Sequence, residues 1–185
     1  MKKIFPIALI IFGLVFLAAG GYTVVRGFDA KDQVRAELVA QHITTTPDAA
    51  IPNQPVRDAA TAKAMADVIG KHAQEATGGL TYAELGRYLA ADGTGTNDET
   101  LALKDDKGQP VPNPVRNVAF QASALRTSLY TSVMAFNVAD LVIGLGLMIA
   151  VVGIALGGIG VALAGLAIPA VGRRFGVEPV AAHVA

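Results

Sequence analysis

The chain has no cysteine among its 185 residues. That excludes a disulfide framework, a zinc–thiolate site, an iron–sulfur centre and a lipid anchor on cysteine. Any part of it held outside the cytoplasm must be stabilised by helix packing alone. Tryptophan is also missing, and with it the strongest aromatic anchor at a membrane interface. Charge is scarce: Asp, Glu, Lys and Arg make up 16% of residues and cancel to a net charge of zero. Nothing supplies the basic face that nucleic-acid binding demands, so no nucleic-acid partner is expected.

Apolar residues, in contrast, make up 52% of the chain, and the excess is concentrated at its two ends. After the basic head Met1, Lys2, Lys3, residues 4–25 carry no charge, and Arg26 closes the run. About 20 residues span a bilayer core as a helix, so this run is long enough. Two readings compete for it. A cleavable signal peptide would use Ala18, Ala19 and Gly20 as its small-residue cut site. An uncleaved anchor accounts better for the apolar residues that continue through Tyr22, Thr23, Val24 and Val25, and is the reading adopted. The second apolar stretch, 138–171, is interrupted only by Asp140 and ends before Arg173 and Arg174. It is too long for one upright span and too short for two with a turn, so one long or tilted helix is expected, ended by Pro169.

The positive-inside rule orients both spans. Lys2 and Lys3 at one end and Arg173 and Arg174 at the other place both termini in the cytoplasm. Four parts follow: a head and first transmembrane helix (1–26), an extracytoplasmic domain (27–137), a second transmembrane helix (138–171) and a cytoplasmic tail (172–185). The protein is expected in the plasma membrane, with the lipid bilayer as its first partner.

Between the spans, helical spacing is read at 29–43, ended by Thr44, Thr45, Thr46 and Pro47, and at 57–77, where Ala60, Met65, Val68, Ile69 and Ala73 recur along one face. Residues 51–55, with two prolines, read as a linker. Gly78 and Gly79 stop the second helix. Thr81 then fits a helix N-cap, with Glu84 bonding back, and starts a short helix over 82–91. Residues 92–114, rich in Gly, Asp, Asn and Pro, read as a polar loop insertion. From Val115 the helical pattern resumes and runs into the second span. The fold class is therefore all-α: two transmembrane helices extended into a small extracytoplasmic helical bundle.

Small residues mark the spans. Gly146, Gly153 and Gly160 are seven apart, Gly13 and Gly20 repeat that spacing, and Gly153 and Gly157 form a G-x-x-x-G pair. Such residues let helix backbones approach closely. They serve either a docking face for a membrane partner or a second copy, or packing of the first span on the second. Asp140, at the outer end of the second span, lies at the level of Arg26, and the two are expected to pair.

Two blocks carry a family resemblance: residues 72–85, beginning His72, Ala73, Gln74, Glu75 and ending Thr81, Tyr82, Ala83, Glu84, Leu85, and residues 124–136, from Ala124, Leu125, Arg126 to Phe136. Together with the two spans they resemble small actinobacterial two-span membrane proteins often labelled aromatic ring-opening dioxygenase LigA. Members usually have a shorter link between the blocks, so 92–114 looks like an insertion. The label implies a metal-dependent oxygenase. Non-haem iron of that kind wants two His and a carboxylate on one open face. His183 lies in the cytoplasmic tail, which leaves His42, His72 and Glu75, and nothing in their spacing requires them to meet. Read from the residues alone, these are solvent-facing helix positions, with His72 and Glu75 one turn apart as a surface pair. No Ser-His-Asp set is evident, and no catalytic, cofactor-binding or metal-binding residue is assigned. The expected function is therefore a non-enzymatic accessory or scaffold protein of the cell envelope. One alternative is an extracytoplasmic sensor acting through a partner; the other, implied by the label and less favoured by the residues, is a metal-dependent oxygenase.

Overall fold

The computed structural model describes residues 4–167. The chain is mostly helical. Helix α1 spans Ile4–Ala40, α2 spans Ala59–Ala76 and α3 spans Pro114–Ala167. Two short antiparallel strands, β1 (Tyr88–Leu89) and β2 (Gly95–Thr96), lie between α2 and α3. The residues fall into two compact units. The first comprises, among the described residues, 4–32 and 138–167; the second is Gln33–Asn137. Lys2, Lys3, Pro169, Arg173, Arg174, His183 and the tail 172–185 lie outside the described residues.

Helices α1 and α3 are both long and apolar enough to cross a membrane. Their 37 and 54 residues exceed the roughly 20 a bilayer core needs. The apolar side chains are mostly uncovered: Ile11, Leu14, Leu141, Met148, Val151 and Ile154 are all more than half exposed.

The second unit contains a hydrophobic core of its own. Leu38, Val56, Ala62, Ala66, Leu129 and Phe136 are buried, with Val34, Ile43, Met65, Ile69 and Val133 packed around them. Helix α2 supplies Ala62 and Ala66 at an i, i+4 spacing, with Ile69 continuing the same face. Small alanines bring its backbone close, and Phe136 fills the remaining volume at 2% exposure. Asp58 caps α2: its carboxylate accepts from the Thr61 backbone N–H at 2.9 Å, and the Thr61 hydroxyl oxygen accepts from the Asp58 N–H at 3.2 Å. Gly78 and Gly79, both at positive φ, end the turn after α2 as expected.

Residues 44–56, expected as a stop and linker, form a closed loop. Thr45 is buried, and its backbone N–H reaches the Gln54 carbonyl at 2.9 Å while its hydroxyl accepts from the Gln54 N–H at 2.9 Å. The Val56 N–H then bonds to the Ile43 carbonyl at 2.9 Å, which drops Val56 into the core.

Two expectations fail in the next segment. Residues 82–91 do not form a helix. The Thr81–Glu84 contact exists: the Thr81 N–H and hydroxyl both donate to Glu84 Oε2, at 2.8 and 2.7 Å. It closes a single turn only. The carbonyls a helix would use next are taken by other partners, Leu85 by the Arg116 guanidinium and Gly86 by the Asn113 amide. Nor is 92–114 a plain loop: it contributes short antiparallel pairings to a chain that is otherwise helical. Leu89 accepts from the Leu103 N–H and donates to the Val111 carbonyl, and Tyr88 and Ala90 form bridges with Pro112 and Ala102. Turns at Gly93 and Gly108, both at positive φ, bring these short extended pieces together.

Candidate functional site

The glycines of the two spans meet each other. A Cβ on Gly13 would lie 2.6 Å from the Gly157 nitrogen and 2.7 Å from the Gly153 oxygen. One on Gly20 would lie 2.6 Å from the Gly146 oxygen, and one on Gly160 2.9 Å from the Ile10 nitrogen. Each pair couples a rising number on α1 to a falling one on α3, so the helices run antiparallel. The stripe is longer than the sequence reading made it: Gly27 continues it, facing Ala139 and Ile143. Pro6, Gly13, Gly20 and Gly27 are buried on α1, and Ala139, Gly146, Gly153 and Gly160 on α3. Both sets repeat every seven residues, the stride that keeps one face of a helix against a partner along a coiled seam. Gly157 differs. Its backbone touches the Gly13 side of the seam, yet its own Cβ direction is open. The G-x-x-x-G pair is therefore not a symmetric feature of this contact.

Asp140 pairs with Lys31, Nζ to Oδ1 at 2.7 Å, and Arg26 pairs with Asp29 at 3.4 Å. The expected Arg26–Asp140 contact is replaced for a geometric reason. Gly27 marks the face of α1 that touches α3. Lys31, four residues on, stays within about 40° of that direction, whereas Arg26 is turned about 100° from it.

The histidines are not assembled with Glu75. His72 Nε2 lies 2.9 Å from Asp48 Oδ2, and Lys71 Nζ reaches the same oxygen at 3.2 Å. The anticipated His72–Glu75 pair gives way to this contact across the 44–56 loop. Hydrogen bonds from the Thr46 hydroxyl, then His72 and Lys71, hold the Asp48 carboxyl well below its usual range. His42, in the turn that follows α1, sits at positive φ. Among the described residues, no three His, Asp or Glu converge where a metal ion would sit.

A further feature had no counterpart in the sequence reading. The first turns of α3 and the turn at 81–86 enclose an open cleft of about 520 Å³. Asn113 caps α3, its side-chain oxygen accepting from the Val115 N–H at 3.0 Å while its amide holds Gly86. That places Arg116 with its guanidinium 4.0 Å from the Tyr82 ring centre and one N–H on the Leu85 carbonyl. The Tyr82 and Phe120 rings lie 5.9 Å apart at 49°. Arg87 and Asn117 complete the polar lining, and no acidic residue contributes. The signal available beforehand was only the spacing Arg116, Phe120 on one helix face; the partner Tyr82 lies far off in the sequence.

Compared with known proteins, the chain matches no family model, no curated protein and no solved structure.

Proposed function

We propose that the protein is a non-enzymatic accessory or scaffold component of a cell membrane. Its two apolar helices would cross the bilayer, and its second unit, close to the 27–137 domain expected from sequence, would stand outside the cytoplasm. The observation that carries this reading is the seam between α1 and α3. The two helices satisfy each other along one glycine-lined face and leave large apolar side chains such as Leu14, Leu141 and Met148 uncovered all around it. In water that much exposed apolar surface is unfavourable at about 25 cal/mol per Å²; in lipid, or against other membrane helices, it costs nothing. The basic residues Lys2, Lys3, Arg173 and Arg174 support placing both ends in the cytoplasm. The likeness of 72–85 and 124–136 to small two-span actinobacterial proteins supports the same topology.

Gentle detergent extraction of the tagged full chain, with chemical crosslinking and identification of what co-purifies, tests the scaffold role. Recovery of reproducible membrane partners supports it, and recovery of the free monomer alone rejects it. A reporter fused after Ala185 tests the orientation independently; activity outside the cell would reverse it.

A further inference from the structure

We infer that the cleft at the start of α3 receives an acidic segment of a partner polypeptide, with a carboxylate against Arg87 and Arg116 and an apolar side chain over Phe120. This builds on the scaffold reading and names the chemistry of the partner.

The charge balance of the cleft motivates it. Two arginines line it and no carboxylate does. Elsewhere in this unit, several carboxylates are occupied locally: Asp92 by Thr94, Asp98 by Thr100, Glu84 by Thr81 and Asp67 by Lys63 and Tyr130. Arg87 has no hydrogen bond or ion pair from its guanidinium among the described residues, and the Asn117 side-chain amide has none either. Arg116 is different again. Its contact with the Leu85 carbonyl and the face of Tyr82 fixes the guanidinium in place. A pre-oriented guanidinium loses little freedom on binding a carboxylate, and its planar fork matches the two oxygens.

The apolar side points to a polypeptide. Phe120 is 57% exposed and Tyr82 is 42% exposed, side by side at the edge of the charged lining. An inorganic anion would leave both rings bare. The cleft volume falls within the range of small-ligand pockets, but those enclose most of their ligand, and this one is open along a side. An extended chain places alternating side chains on a surface, one charged and the next apolar, without needing enclosure.

The test uses the full chain in detergent and fluorescein-labelled synthetic heptapeptides read by anisotropy. One peptide alternates Glu and Phe, a second replaces each Glu by Gln, and a third replaces each Phe by Ser. The Glu/Phe peptide is expected to bind saturably and to weaken at high salt. Arg87→Glu and Phe120→Ala, both at exposed positions, should each weaken it by about tenfold or more, as should either peptide change. Far-UV circular dichroism checks that both variants remain folded. Equal binding of the Gln peptide overturns the inference. So does binding that neither variant alters, or the absence of saturable binding. Vesicles of phosphatidylglycerol form a separate arm: if they bind through Arg87 while the peptide does not, the cleft is a lipid site and the inference is wrong. Recovery of the same membrane partners by wild type and Arg87→Glu, with no peptide binding, overturns the cleft while leaving the scaffold role standing.

Discussion

Gly20 and Gly146 meet backbone to backbone: a methyl group on either would stand 2.6 or 2.9 Å from the other's carbonyl oxygen. No rotamer relieves a clash with backbone, so the helices themselves must separate. Along the seam, glycine provides contact area that no side chain could.

Gly20→Leu and Gly146→Leu should therefore each destabilise the protein by about 1–3 kcal/mol, the usual cost of overpacking. Gly144→Ala and Gly157→Ala, where a Cβ meets open space, should stay within about 0.5 kcal/mol of wild type. Thermal unfolding in one detergent, followed by circular dichroism, makes the comparison. If all four variants behave alike, the glycines are not seam residues.

The Lys31–Asp140 pair is short at 2.7 Å, but the Asp140 side chain is 58% exposed. Solvent screening limits such a pair to below about 1 kcal/mol. Asp140→Asn should accordingly shift the unfolding midpoint far less than Gly20→Leu. A double-mutant cycle with Lys31→Met should give a measurable coupling, and one with Arg26→Met should give none.

Asp58 caps α2, whereas the Thr81–Glu84 contact closes a turn that no helix follows. Asp58→Ala removes the acceptor for the Thr61 N–H and should cost about 0.5–2 kcal/mol. Thr81→Ala touches a turn that no helix follows and should cost less than about 0.5 kcal/mol. Equal losses at the two sites would mean that a helix does follow Thr81.

Acid should weaken the second unit. Hydrogen bonds from Thr46, His72 and Lys71 lower the Asp48 pKa, and bonds from Lys63 and Tyr130 lower that of Asp67. A carboxyl whose pKa falls on folding stabilises the native state at neutral pH. As pH drops below about 4, the unfolded chain takes up the proton first, and the stabilisation is lost until the native carboxyl is protonated too. Chemical denaturation at a series of pH values should show stability falling below about pH 4. Asp48→Asn should lower stability at neutral pH and flatten that fall; an unchanged slope would show that Asp48 does not contribute.

The two long helices were legible because composition and length speak directly: no charge over 4–25 and a single acid within 138–171. The 57–77 helix was legible from its apolar spacing, and the structure sets it at Ala59–Ala76. The seven-residue glycine spacing was visible too, though it stopped short of Gly27. The segment 82–113 was not legible. Its local signals named a cap and a loop, while the outcome was decided by Asn113 and Arg116 claiming the carbonyls of Gly86 and Leu85 from about thirty residues away. Lys31 was missed because its claim on Asp140 depends on which face of α1 turns to α3.

Sequence alone determined that this chain has two helices able to span a membrane, one amphipathic helix between them, and glycines spaced to line a helix face. Those properties follow from hydropathy and periodicity, which need no partner. Only the tertiary structure decided that the glycine faces meet each other, that Asp140 takes Lys31 over Arg26, and that two arginines and two aromatic rings share one cleft. Each of these depends on which distant groups occupy the same space, and a linear pattern does not encode that.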